Sequence, residues 1–267
     1  MNVYLLGTLL FIFGCTEPTN NGKSTPEAIS IDNINTAIDS SSSILHTRFL
    51  APVGYITTQN TSESFAHYLQ TLPLKPIDAE VKYYDGRTKA NETIYCAVID
   101  QDIDPVDLQQ CADAVMRLRG EYLFEQKRFD EIKFNFLSDG KPRYFGEHAN
   151  GDYSYAKFRK YMKYIFSYAN TGSMCDELSA RAISDMQIGD VFVQKGRPYG
   201  HAVIVVNMAS DSLGNKKYML AQSYMPAQET QVLIDPLSED KTPWFTLEDD
   251  EIITPQWTFQ ATDLKHF

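Results

Sequence analysis

Residues 189–228, GDVFVQKGRPYGHAVIVVNMASDSLGNKKYMLAQSYMPAQ, constrain the fold more than any other part of the chain. The stretch reads as three consecutive β-strands, VFVQ, HAVIVVNM and KYMLAQSYM, with the turn DSLGNKK joining the last two. A run as apolar and β-branched as HAVIVV belongs in the interior of a sheet. His201 opens that run, where packing has no evident need for an imidazole. Histidine ionises closest to neutrality and is the usual general base, so the rest of the chain has to be searched for a partner to it. The other reading of His201 is a structural histidine bonded to a carbonyl.

The chain begins MNVYLLGTLLFIFGC, an apolar run too short to span a bilayer and placed where a signal sequence belongs. Its end, Ile12-Phe13-Gly14-Cys15, resembles the lipobox of bacterial lipoproteins, although no Lys or Arg precedes the run. The resemblance implies a signal peptide over residues 1–14, cleavage before Cys15 and lipid on its thiol. A plain membrane anchor or an ordinary signal peptide is the other reading, and export follows from each. Residues 15–43 are polar and poor in aromatics and read as a tether. Residues 44–267 then form a single globular domain, long enough to bury a sizeable core.

The net charge of −11 argues against a nucleic-acid partner. After Cys15 the cysteines are Cys96, Cys111 and Cys175; an odd number cannot all pair internally, so at least one thiol is free. The sequence contains no CxxC, no HExxH and no Gly-rich phosphate loop, so no metal and no cofactor is expected.

Upstream of the three strands the pattern is mixed. Phe65–Leu72 reads as a short helix, and Glu80–Tyr84 with Thr93–Asp100 reads as a hairpin around DGRTKANE. Asp104-Pro105-Val106-Asp107 has an N-cap, a proline at N1 and an acid at N3, which predicts a long helix running on through LQQCADAVMRLRGEYLFEQ. Glu131–Phe136 and Lys141–Phe145 flank Ser138-Asp139-Gly140 as a second hairpin. Tyr155–Ala169 and Ser173–Ile183 read as helices, and Pro243–Phe245 and Trp257–Phe259 as edge strands or packing segments. Helices followed by an antiparallel meander make the class α+β.

A nucleophile beside His201 is sought among the thiols. Cys111 on the long helix is the first candidate, with Gln222 or Ser223 on the next strand as the group orienting the imidazole. Those two side chains point to opposite faces, so only one can look at His201. Cys111 also belongs to an apolar stripe, Leu108, Cys111, Ala112, Val115, Leu118 and Tyr122, on which it is a buried small hydrophobe. If the chain instead breaks near Gln109-Gln110, the cysteine opens its helix and those glutamines line an oxyanion site. Cys175, just after Gly172, reads as a helix-start cysteine of second rank, Cys96 as core, His148 as a loop residue and reserve base, and Asp190 as a turn residue.

The order helix cysteine, strand histidine, polar residue on the adjacent strand resembles the papain-like superfamily, and most of all the NlpC/P60 and CHAP-type amidases. Gln187–Phe192 followed by Gly200–Val205 is similar to their glycine-aspartate, strand, histidine-strand passage, and Met219–Ser223 to the strand carrying their third residue. The resemblance implies a papain-like core with nucleophile Cys111, base His201, and orienting residue Gln222 or Ser223. Over most of its length the chain also resembles an uncharacterised family of Bacteroidota lipoproteins, domain of unknown function 4846, through Asp107–Leu118, His201–Val206 and Leu220–Gln228. Two functions are therefore carried forward. One is a lipid-anchored thiol hydrolase, an amidase or peptidase, acting on peptidoglycan peptides at the periplasmic or outer-membrane surface of the bacterial envelope. The other is a non-catalytic envelope lipoprotein binding glycan or protein on the same core, which leaves enzymatic activity open.

Overall fold

The computed structural model describes residues 38–90, 92–247 and 251–267. The signal segment, Cys15 and the tether up to residue 37 lie outside the described residues. Among the described residues the α-helices are α1 (Leu45–Arg48), α2 (Phe65–Gln70), α3 (Cys111–Glu125), α4 (Phe145–Ala149), α5 (Tyr155–Phe166) and α6 (Thr171–Glu177). The main sheet runs in the order β2 (Tyr95–Val98), β9 (Gln231–Leu233), β8 (Lys216–Gln222), β7 (His201–Ser210), β6 (Val191–Gln194), β13 (Leu264–His266), β5 (Ser179–Ala180). β1 (Ile56–Thr57) joins the far end of β7 and β10 (Phe245–Thr246) joins β8. Two further hairpins are β3 (Lys133–Asn135) with β4 (Pro142–Tyr144), and β11 (Glu251–Ile253) with β12 (Thr258–Gln260). The class is α+β.

The three strands read from residues 189–228 are present and antiparallel, with β7 at the centre. Nine of its ten residues are buried, as expected of an apolar run covered on both faces. α2 and α3 pack on β7. Every residue of α3 from Cys111 to Leu118 is buried, so this helix has no solvent face over its first two turns.

Two expectations are corrected. The Glu80–Tyr84 segment does not pair with Thr93–Asp100; β2 pairs instead with β9, from the other half of the chain. Residues 80–89 fold back on themselves through a Lys82–Thr88 bridge and lie against Gln228. The helix predicted from Asp104 begins seven residues later, at Cys111. The carboxylates that looked like helix caps are used elsewhere: Asp104 pairs with Arg159 at 3.2 Å, and Asp107 accepts the Ala227 N–H at 2.7 Å. Buried Arg117 donates to Gln109 Oε1 at 3.0 Å and tethers this segment as loop. Before residue 44, Ile38 bridges Phe49 and the Asp39 N–H bonds the Arg48 carbonyl.

Candidate active site

The late start of α3 puts Cys111 at the first helical position, where backbone N–H groups lack intrahelical partners. The start is set by Asp113, whose Oδ2 accepts the Gln110 N–H at 3.0 Å. The backbone N–H groups of Ala112, of Ala202 on β7, the residue after His201, and of Cys111 itself all favour the thiolate. Burial wins over them: the residue is 5 % exposed, and desolvation, reinforced by the Asp113 carboxyl, pushes the thiol up to about 11.

Cys111 contributes to a cleft of about 760 Å³ between the start of α3, the start of α6 and the loop 195–200 that joins β6 to β7. Gly200, the last residue of that loop, lines the cleft directly before His201. A Cβ there would sit 2.1 Å from the Gln194 carbonyl oxygen and 2.6 Å from Thr171 Oγ1, so only glycine permits this close approach. Lys195 and Arg197 on the same loop line the cleft, Lys195 in an ion pair with Asp176 of α6.

His201 is fully buried, enclosed by Tyr224 (4.9 Å between ring centres), Trp257 (5.4 Å) and Phe259 (5.8 Å). Its Nε2 donates to Gln222 Oε1 at 2.7 Å, and its Nδ1 has no hydrogen-bond partner among the described residues. Removal from water lowers the imidazole to about 4, against the smaller opposing effect of the Gln222 hydrogen bond. The ring is therefore neutral at pH 7, with its proton on Nε2 and the lone pair of Nδ1 available. The partner of Nε2 is a side-chain amide rather than the backbone carbonyl of the structural reading.

Gln222 and Ser223 diverge as neighbours on a strand must. Gln222 reaches His201, whereas Ser223 Oγ donates to the Gln228 carbonyl at 2.7 Å. Of the two glutamines before Cys111, Gln110 lines the cleft but its amide donates to Asp107 at 3.0 Å. Gln109 is buried, with its Nε2 unpartnered.

The other candidates lie apart. Cys175 is the fifth residue of α6, whose N-cap is Asn170, so it does not open a helix. Cys96 lies in β2 with its thiol directed at the Val232 carbonyl, and burial raises it far above the usual range. His148 is in α4 rather than a loop and stacks on Tyr164. Asp190 does hold the turn before β6, accepting the Gln187 N–H at 2.8 Å. Gly189 adopts φ +97° there. Among the described residues, no group of three or more His, Cys, Asp or Glu side chains is placed to hold a metal ion.

Sequence reasoning missed Gln256 and Lys89. Gln256 Oε1 accepts the Gln222 Nε2–H at 2.8 Å and also the Lys89 ammonium at 2.9 Å. No local signal marks either one; they lie 34 and 133 positions from Gln222.

The family model described as Domain of unknown function (4846) matches residues 45–152 and 137–266. The chain belongs to that family. The two matches together take in α1 through β13, including both sides of the cleft. No curated protein and no solved structure matches the chain.

Proposed function

We propose that the protein is a thiol hydrolase, an amidase or peptidase, with Cys111 as nucleophile, His201 as general base and Gln222 orienting the imidazole. The observation that carries the reading is a neutral, buried imidazole with Nε2 tied to Gln222 and Nδ1 free of any partner among the described residues, Cys111 included, on a strand whose next residue, Ala202, has an N–H that favours the thiolate of a helix-start cysteine. The reading implies a papain-like arrangement of helix cysteine against strand histidine. The thiol loses its proton to Nδ1 as sulfur attacks the amide carbonyl. The imidazolium returns that proton to the departing amine and leaves a thioester. Water then attacks the thioester, losing a proton to Nδ1, and the thiol is regenerated as the acid departs. Because the thiol is raised and the imidazole lowered, the resting state is the neutral pair, and proton transfer accompanies attack.

The first substrate class to try is a peptidoglycan peptide, with the protein held at the periplasmic or outer-membrane surface through lipid on Cys15. Muropeptide cleavage that Cys111→Ala and His201→Ala both abolish, with folding retained, supports the reading. Cleavage that survives Cys111→Ala overturns it.

A second reading is a non-catalytic envelope module that binds glycan or protein. The burial of Cys111 favours it, as do the exposed rings of Tyr164 and Tyr168, which pack at 5.5 Å from each other over buried Phe136. Glycan binding lost in Tyr168→Ala, with no cleavage by the wild type, would support it.

A further inference from the structure

We propose that Lys89 is a positioning residue for this site: its ammonium dictates, through Gln256 and Gln222, which nitrogen of His201 carries the proton. The inference rests on the reading of His201 as general base and deepens it.

Lys89 is 4 % exposed and forms no ion pair with a carboxylate among the described residues. Its hydrogen bonds go to amide oxygens, Gln228 Oε1 at 2.8 Å, Gln256 Oε1 at 2.9 Å and Gln231 Oε1 at 3.4 Å, and it sits 5.9 Å from the centre of the Tyr224 ring. Burying a cation without a counter-charge is costly, and burial lowers this lysine to about 8. An apolar side chain would satisfy packing at lower cost, so the charge itself calls for an explanation.

The explanation lies in direction. A glutamine amide can turn end over end, and with it every hydrogen bond it makes reverses. An ammonium only donates, so it forces Gln256 to present its oxygen. That oxygen can receive only a donor from Gln222, which turns the NH₂ of Gln222 toward Gln256 and its oxygen toward His201. The imidazole must then donate from Nε2, and Nδ1 keeps the lone pair. The distances along the line are 2.9, 2.8 and 2.7 Å. A reversed chain would place the imidazole proton on Nδ1, and the base would be lost. The ionisable groups that act on or touch His201 are Lys89 and Tyr224, whose ring lies against the imidazole; Trp257 and Phe259 on the remaining side carry no charge.

The test uses the protein with ¹⁵N-labelled histidine, with His201→Gln assigning the resonances. Long-range ¹H–¹⁵N spectra distinguish the two tautomers. Lys89→Met and Gln256→Met are compared; Gln256 is only half-buried, so its variant carries the test should Lys89→Met fail to fold. The expected result is a wild-type His201 protonated on Nε2 alone and a mixture of tautomers in the variants. A loss of kcat/KM of roughly tenfold to hundredfold, with KM little changed, should accompany it. A single Nε2–H tautomer in a folded variant overturns the inference, whatever the activity. Should the wild type cleave nothing while the variants still mix tautomers, the hydrolase reading fails and the positioning role stands.

Discussion

Desolvation, rather than an ion pair, governs the chemistry available to Cys111. With the thiol near 11 and the imidazole near 4, a thiolate is scarce at pH 7, so iodoacetamide should label Cys111 slowly and progressively faster toward pH 10. Asp113 contributes to this. Its carboxyl is raised by burial to about 8, so it carries charge beside the sulfur only in the alkaline range. Asp113→Asn should therefore speed labelling by about threefold to tenfold at pH 9 and scarcely at pH 6, because only above pH 8 is a negative charge removed. Labelling rates that match wild type at pH 9 would show that Asp113 does not act on the thiol. His201 predicts the other limb: kcat/KM should fall as pH drops through about 4, where Nδ1 takes up a proton and can no longer act as base. Gln222→Leu leaves a buried Nε2–H unpaired and should destabilise the fold by about 1–3 kcal/mol in urea unfolding.

The elements that position these residues were legible to different degrees, for physical reasons. β6, β7 and β8 could be read because alternation and β-branching act within each strand, and the glycine and aspartate at 189 and 190 do form the turn they suggest. The start of α3 could not, because Asp104-Pro105-Val106-Asp107 has the local chemistry of a helix start. Arg159 and the Ala227 N–H, more than fifty residues away, claim its two carboxylates. The cysteine reading left open by a break at Gln109-Gln110 is the geometry observed. Gln222 was legible as one of two neighbours on a strand, but only tertiary structure separates it from Ser223. Lys89 and Gln256 were invisible because a polar relay leaves no spacing signature. The β6–β7 connection yields a prediction of its own. Gly200→Ala would place a methyl 2.1 Å from a backbone oxygen, which moves the loop and His201 with it. A loss of at least about 2 kcal/mol in urea unfolding, together with loss of cleavage, is expected. A Gly200→Ala variant as stable as wild type would show that the loop has room to relax.

Across the whole molecule, buried groups that resist ionisation set the pH range of stability, and their signs oppose. His201 has a folded value near 4 against 6.5 when exposed, so between those pH values the unfolded chain binds a proton that the folded one refuses. Stability therefore rises with pH from 4 to 6.5, by up to about 3 kcal/mol from this residue at 1.36 kcal/mol per unit. Asp113 and Asp190 behave in reverse. Burial raises their folded values to about 8 and about 6 from 3.8, so between 3.8 and those values the folded chain holds protons that the unfolded one has released. Their contribution is fully present below pH 4 and is lost as pH climbs through 6 and then 8. Arg181, 3.0 Å from Asp190, limits that loss for Asp190; Asp113 has no cationic partner and its Oδ1 is unpaired, so it dominates the alkaline side. Between pH 4 and 6 the two carboxyls outweigh the imidazole and the sum falls with pH; between 6 and 6.5 His201 and Asp113 cancel, and above 6.5 Asp113 alone makes it fall again. In urea titrations across pH 4–9, wild type should be most stable near pH 4, level off between about pH 6 and 6.5, and decline again toward pH 8. Asp113→Asn should hold its stability to pH 9, gaining roughly 2 kcal/mol over wild type there, because an amide has no proton to lose and still accepts the Gln110 N–H. His201→Gln should steepen the fall between pH 4 and 6.5, where its opposing slope is lost, and leave the alkaline limb. If the alkaline limb persists unchanged in Asp113→Asn, then Asp113 is ionised within the fold, and a carboxylate faces Cys111 throughout the neutral range.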